Sequence, residues 1–173
     1  IMRVDQWVTT EHHQDQQIYE NSLGLYLLFL DYGIDEFVSS ITSNILLGNR
    51  ILLDTDKKRS DELINRVHGY CDQRISTGSV IYTRWGKGFV VFAENHRETI
   101  AYSVLKHQSE TDFVMVINLG EEEIFFYSYR EGFNVGNTIA KFFGGHGTET
   151  SGIAHINKCE ISMIRSFIMQ YPE

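Results

Sequence analysis

The segment Phe142-Phe143-Gly144-Gly145-His146-Gly147-Thr148-Glu149-Thr150-Ser151-Gly152 holds four glycines, one histidine and three hydroxyl side chains. Glycine reaches positive φ without a Cβ clash and lets a backbone come close to a ligand. Successive exposed amides in such a turn form a concave anion site. The imidazole of His146 can donate to a phosphate oxygen. The pattern therefore suits a phosphate or nucleotide clamp. A tight connection between a helix and a strand needs the same glycines, so composition alone leaves both readings open. Upstream stands Arg130, at the end of an apolar run and before Gly132. A guanidinium fork binds phosphate bidentately; pairing with Glu131 or Glu149 is its plainer role. Thr148 and Ser151 can donate to a phosphate or base, or satisfy their own loop. His155, just beyond, fits a structural role as well as any other. Phe125, Phe126, Tyr127, Tyr129 and Phe133 can offer bases a stacking surface. Strand alternation places at least half of them in the core, which leaves Tyr129 or Phe133.

These residues must be held by a regular frame, and the sequence outlines one. Arg3 to Gln17 is polar and irregular, with Trp7 as its one large anchor. Ile18 to Leu30 reads as a buried helix that Gly33 can terminate. Asp35 can cap a second helix carrying Phe37, Val38, Ile41, Ile45 and Leu46 at helical spacing. A third runs from about Asp56 to Ile75, with Leu63, Ile64, Val67 and Tyr70 on one face. After Ser76-Thr77-Gly78 the character changes. Val80-Ile81-Tyr82 and Phe89-Val90-Val91-Phe92 read as strands separated by a turn at Gly86-Lys87-Gly88. Glu98 to His107 reads as a helix. Phe113 to Leu119 is a continuous apolar run suited to a central buried strand, and Ile124 to Tyr129 suits its antiparallel partner. Asn134 can cap a helix through Phe143. A short strand at Ile153 to Ile156 and a helix from about Glu160 to Met169 follow. The order gives an α/β fold with a mixed sheet over residues 78–173, preceded by a helical connector over residues 1–77.

Bulk properties bound the function classes. A chain of 173 residues can bury a sizeable core. The longest apolar run, Leu23 to Leu30, is too short to cross a bilayer, so no membrane role is expected. Cys71 and Cys159 are too few and too far apart for a disulfide framework or a CxxC metal site. They read as reduced core residues of a cytoplasmic protein. The net charge of −8 argues against a broad basic groove for nucleic acid held by charge alone. A small local phosphate site is compatible with it. The start at Ile1 rather than methionine suggests a piece of a longer protein, although processing gives the same start.

The second half resembles the DHH-associated C-terminal domain of the DHH phosphoesterase superfamily. The resemblance is carried by Phe126-Tyr127-Ser128-Tyr129-Arg130, by Val135-Gly136-Asn137-Thr138-Ile139-Ala140-Lys141-Phe142-Phe143, and by Gly144-Gly145-His146. The family pattern is a strand ending in Ser-x-Arg, a short linker, a helix ending Ile-Ala-x-x-Phe, a glycine run with histidine, and a loop closing on glycine. Val4-Asp5-Gln6-Trp7 is similar to the segment that ends the catalytic half of nano-RNase-like members. The resemblance implies that Asp5 is a metal ligand and that the helices up to Ile75 are the connector. The family's Asp-x-Asp and Asp-His-His motifs would then lie upstream. In a rival placement, Glu11-His12-His13 stands for Asp-His-His and Asp54-Thr55-Asp56 supplies the later aspartate, since histidines and carboxylates bind Mn²⁺. A solvated polar loop is the plainer reading there.

By this resemblance, the chain is the C-terminal substrate-binding part of a DHH-family phosphodiesterase or exonuclease. It would act on short single-stranded oligonucleotides or dinucleotides, with Mn²⁺ held mainly by its own N-terminal DHH domain. Arg130, Gly144, Gly145, His146, Ser151 and Gly152 would bind substrate, and no catalytic residue is assigned. A homodimer is left open. The glycine run is shorter than in the family, Gly152 follows His146 by one extra residue, and Glu149 adds a negative charge. These departures keep open the alternative of a non-catalytic nucleotide-binding or interaction module of the same fold.

Overall fold

In the computed structural model, residues 16–49 and 52–157 are described. The Asp5 and Glu11-His12-His13 readings and the expected helix at 160–169 lie outside them. The chain divides into two compact units, Ile1–Tyr70 and Cys71–Glu173.

The first unit is helical. α1 spans Gln16–Tyr32, α2 Ile34–Leu46, and α3 begins at Asp54 and runs to Ile75. Gly33, at φ 76°, both ends α1 and opens α2. Its N–H donates to the Phe29 carbonyl (3.1 Å), and its own carbonyl accepts from Phe37 N (3.1 Å). The expected cap at Asp35 is therefore corrected: Gly33 holds the cap position, and Asp35 and Glu36 sit in the first turn of α2. There their charge favours the helix dipole instead. α1 and α3 are joined by charge and by close approach. Arg59 donates twice to the Asp31 carboxylate, at 2.8 Å each, and this pairing pulls the Asp31 carboxyl below its usual range. Tyr32 Oη donates to Asp56 (3.0 Å). Gly24 lies where a Cβ would strike Ser60 Oγ, so the helices touch there.

The second unit is built on a six-stranded mixed sheet of order β1-β2-β3-β4-β6-β5. The strands are β1 Ser79–Thr83, β2 Gly86–Phe92, β3 Phe113–Asn118, β4 Glu123–Tyr127, β5 His146–Gly147 and β6 Ser151–His155. Only the β2–β3 pair is parallel, and α4 (Arg97–His107) makes the crossover it requires. β3 is buried along its whole length, as a strand covered on both faces should be. Phe113, Met115 and Ile117 join Val90, Ile124 and Phe126 in one core layer. The alternate residues Val114, Val116, Phe125 and Tyr127 point to the opposite face. There the Arg97 guanidinium lies 3.9 Å from the Phe125 ring centroid, and Tyr127 Oη donates to Glu98 (3.4 Å). Burial pushes the Tyr127 phenol well above its ordinary pKa, and the Glu98 carboxylate adds to the shift.

Two expectations change. The β1–β2 turn falls at Arg84-Trp85, and Gly86 to Gly88 belong to β2. The Thr83 hydroxyl accepts from Trp85 N and donates to the Gly86 carbonyl, both 3.1 Å, which closes the tighter turn. The single helix expected through Phe143 is instead a short α5, Val135–Thr138, followed by a 3₁₀ turn at Ala140–Phe143. Asn134 does cap it, accepting from Asn137 N at 2.9 Å. No described helix is long and apolar enough to cross a membrane.

Two outcomes test this core. Phe126 is fully buried and its ring stacks on Phe143 with centroids 5.5 Å apart. Phe126→Ala should cost about 3–5 kcal/mol in chemical denaturation; a loss below about 1 kcal/mol would contradict this packing. Burial also pushes the Cys71 thiol up to about 12, with the Asp72 carboxylate adding to it. The unfolded thiol ionises nearer pH 8.5, so Cys71 disfavours the folded state progressively as pH rises from there toward 12. Peptide mass spectrometry should find Cys71 slow to alkylate at pH 8 in the native protein and fast in denaturant.

Candidate functional site

One end of the sheet gathers nearly every residue that the sequence singles out. β2, β3 and β6 begin there, and β4 ends there. At its centre is Asp112, just before β3. Asp112 N donates to the Lys87 carbonyl (2.8 Å). Its carboxylate accepts from Lys87 N (2.8 Å) and from Arg130 Nη1 (2.8 Å). Its carbonyl accepts from Ser128 Oγ (2.5 Å). Gly86, at φ 120°, is needed beside it, because a Cβ there would collide with the Asp112 carboxylate. Ser128 is buried to 1% exposure, and its hydroxyl also accepts from Arg130 N (3.2 Å). The Ser-x-Arg pair thus works as a unit: the serine fixes the backbone, and Asp112 orients the arginine. The expected alternatives for Arg130, Glu131 and Glu149, are replaced by Asp112. Arg130 itself is 56% exposed at its side chain, so part of the guanidinium still faces solvent.

The glycine loop returns beside this pair. Ser128 N donates to the Thr150 carbonyl (3.0 Å), and Tyr127 is in register with Ser151 across β4 and β6. Within the loop most amides already have carbonyl partners. Gly144 N donates to Lys141 O (3.1 Å), Gly145 N to Ala140 O (2.8 Å) and Thr148 N to Ser151 O (2.7 Å). Ser151 N donates to Thr148 Oγ1 (3.2 Å), and the two hydroxyls lie 3.1 Å apart. At α5, Val135 N and Gly136 N donate to Glu149 O and Thr148 O (2.9 and 2.8 Å). These amides close the loop upon itself rather than standing open as an anion nest.

The glycines mainly permit close packing. A Cβ on Gly145 would lie 1.9 Å from the Ile153 carbonyl oxygen, and one on Gly147 2.2 Å from that of Ser151. On Gly152 it would meet the Ala140 Cβ at 2.6 Å, and on Gly136 the Gly147 backbone at 2.4 Å. None of these four has positive φ; in the loop that falls to Gly144, at 75°. The loop is therefore a compressed scaffold that presents side chains. His146 is exposed on β5, in register with Ile153.

Other residues fall elsewhere. His155 is at the opposite end of the sheet, 3.4 Å from Glu123. Phe133 packs against the core, and Tyr129 is half-buried. Asp56 is committed to Leu53 N (2.9 Å) and Tyr32 Oη. Among the described residues, no three His, Cys, Asp or Glu side chains converge as a metal site. Sequence reasoning passed over Asp112 and the turn residues Arg84 and Trp85. The cue for the turn was the two polar-aromatic residues between Thr83 and Gly86. Asp112 carried no local cue, because its partners lie 18 and 25 residues away.

Asp112→Ala removes the acceptor of Lys87 N and should cost about 1–3 kcal/mol in a denaturant titration. Asp112→Asn keeps an amide oxygen for that bond and loses an exposed ion pair worth at most about 1 kcal/mol. Equal losses in the two variants would contradict the dual role of this carboxylate.

No protein-family model matches the chain, and no curated protein matches it. Among solved structures, it is similar to an uncharacterized protein from Helicobacter pylori G27, at 16% identity and a TM-score of 0.42, over 95% of this chain and 56% of that one. It is also similar to PggH, a pGpG-specific phosphodiesterase from Vibrio cholerae, at 14% identity and a TM-score of 0.47, over 66% of this chain and 42% of that one. The chain thus spans about half the length of the structures it matches.

Proposed function

We propose that this chain is the substrate-binding part, with its helical connector, of a DHH-type phosphodiesterase acting on short oligonucleotides or nucleotide phosphodiesters. One observation carries the reading. The Ser128-x-Arg130 strand end and the Gly144-to-Gly152 loop, separate in sequence, are joined side by side by the Ser128 N to Thr150 O bond. These are two of the segments on which the family resemblance rests. Arg130, held from behind by Asp112, offers its remaining N–H groups to a phosphate. His146 supplies a second donor from the loop. Because the loop amides are largely occupied, side chains do most of the holding. The family resemblance, on which this reading leans, assigns the Mn²⁺ ions and hydrolysis mainly to an upstream DHH domain.

Titration with a 5′-phosphorylated dinucleotide tests this. Arg130→Ala and His146→Ala should each weaken binding about tenfold or more, equivalent to about 1.4 kcal/mol. Wild-type affinity should fall with added salt, and the Arg130→Ala variant should show a shallower slope. Unchanged affinity in both variants overturns the reading. Efficient Mn²⁺-dependent cleavage of the dinucleotide by these 173 residues alone would overturn the upstream placement of catalysis.

A further inference from the structure

The β1–β2 turn and the 3₁₀ turn bring together an aromatic and cationic cluster that the reading above does not use. Phe142, at the end of the 3₁₀ turn, is 59% exposed, unusually open for a large apolar ring. Trp85, from the β1–β2 turn, meets it edge-on with centroids 5.1 Å apart. Phe143 sits beneath both, 5.2 Å from Phe142 and 6.2 Å from Trp85, and anchors them to Phe126 in the core. The Arg84 guanidinium carbon lies 4.4 Å from the Phe142 centroid and 4.7 Å from that of Trp85. No carboxylate among the described residues pairs with Arg84. Lys141 is exposed next to Phe142.

The cluster is tied to the phosphate candidates through the β1–β2 turn. Trp85 is two residues before Lys87, whose amide shares the Asp112 carboxylate with Arg130. We propose that Phe142, Trp85 and Arg84 form a stacking platform for a nucleobase of the ligand whose phosphate Arg130 holds. Exposed aromatic rings bearing an arginine are the usual stacking partners of unpaired bases, and stacking of this kind tolerates every base because each presents a π-face. The packed Phe143 and Phe126 beneath keep the platform rigid, which limits the ordering cost on binding. This inference rests on the phosphate reading given above.

The test compares two ligands with the same phosphates: a 5′-phosphorylated dinucleotide and its abasic analogue. Wild type should prefer the base-bearing ligand by about ten- to a hundredfold. Phe142→Ala, an exposed change that leaves the core intact, should erase most of that preference and leave abasic binding unchanged. Arg84→Ala should lower the preference in the same direction. Arg130→Ala should weaken both ligands alike. A preference that survives both Phe142→Ala and Arg84→Ala, or a wild type with no preference, overturns the platform and leaves the phosphate reading standing. Base-dependent binding that ignores Arg130 and His146 supports the platform and overturns the phosphate reading. A wild type that binds neither ligand overturns both.

Discussion

Asp112 is the residue on which this end of the molecule depends. Its amide, carbonyl and carboxylate bind three different elements at once: the start of β2, the end of β4 and the arginine beyond it. The parallel β2–β3 pair begins with no hairpin to set its register. A residue that bonds Lys87 through both backbone and side chain supplies that register locally. The same carboxylate holds Arg130 with one oxygen while the other fixes the strand. The exposed Arg130 is thereby positioned by a group whose first role is structural. The Gly86 backbone, with no Cβ, is what makes room for it.

Much of the frame was legible because its signals are periodic. The all-apolar Phe113-to-Ile117 segment announces a strand covered on both faces, and it occupies an interior place in the sheet. The helices of the first unit follow from apolar spacing, and Asn134 follows from the capping preference of its side chain. What the sequence concealed depends on contacts made across the fold. The two glycines of Gly86-Lys87-Gly88 look like a turn until Gly88 is seen under the Phe113 ring and Gly86 beside Asp112. Gly33 outranks Asp35 as a cap because one positive-φ residue serves two helices. The site was half legible. Arg130 and the loop stood out by residue type, whereas Asp112 and Trp85 matter only through partners far along the chain.

The loop also shows why a glycine-rich segment is ambiguous when read alone. Glycine suits an open cradle of amides, and it equally suits backbones pressed together. Here Gly136, Gly145, Gly147 and Gly152 press helix, 3₁₀ turn and strands into contact. Most of the amides that a cradle would expose are bonded inside the loop. What the scaffold leaves exposed is its side chains, His146 among them.

The strand order has a consequence for how the molecule assembles. β6 lies between β4 and β5, so β4 keeps a bare edge until residues 151–155 have left the ribosome. That edge carries Ile124, Phe125, Phe126 and Tyr127 in succession, an apolar strand of the kind that pairs with other chains. Ser128 waits for Thr150, and α5 waits for Thr148 and Glu149. The loop is thus the last seam of the sheet to close, and its closure covers the stretch of this domain most exposed to misassembly. The same few residues that shape the candidate site also cover that edge.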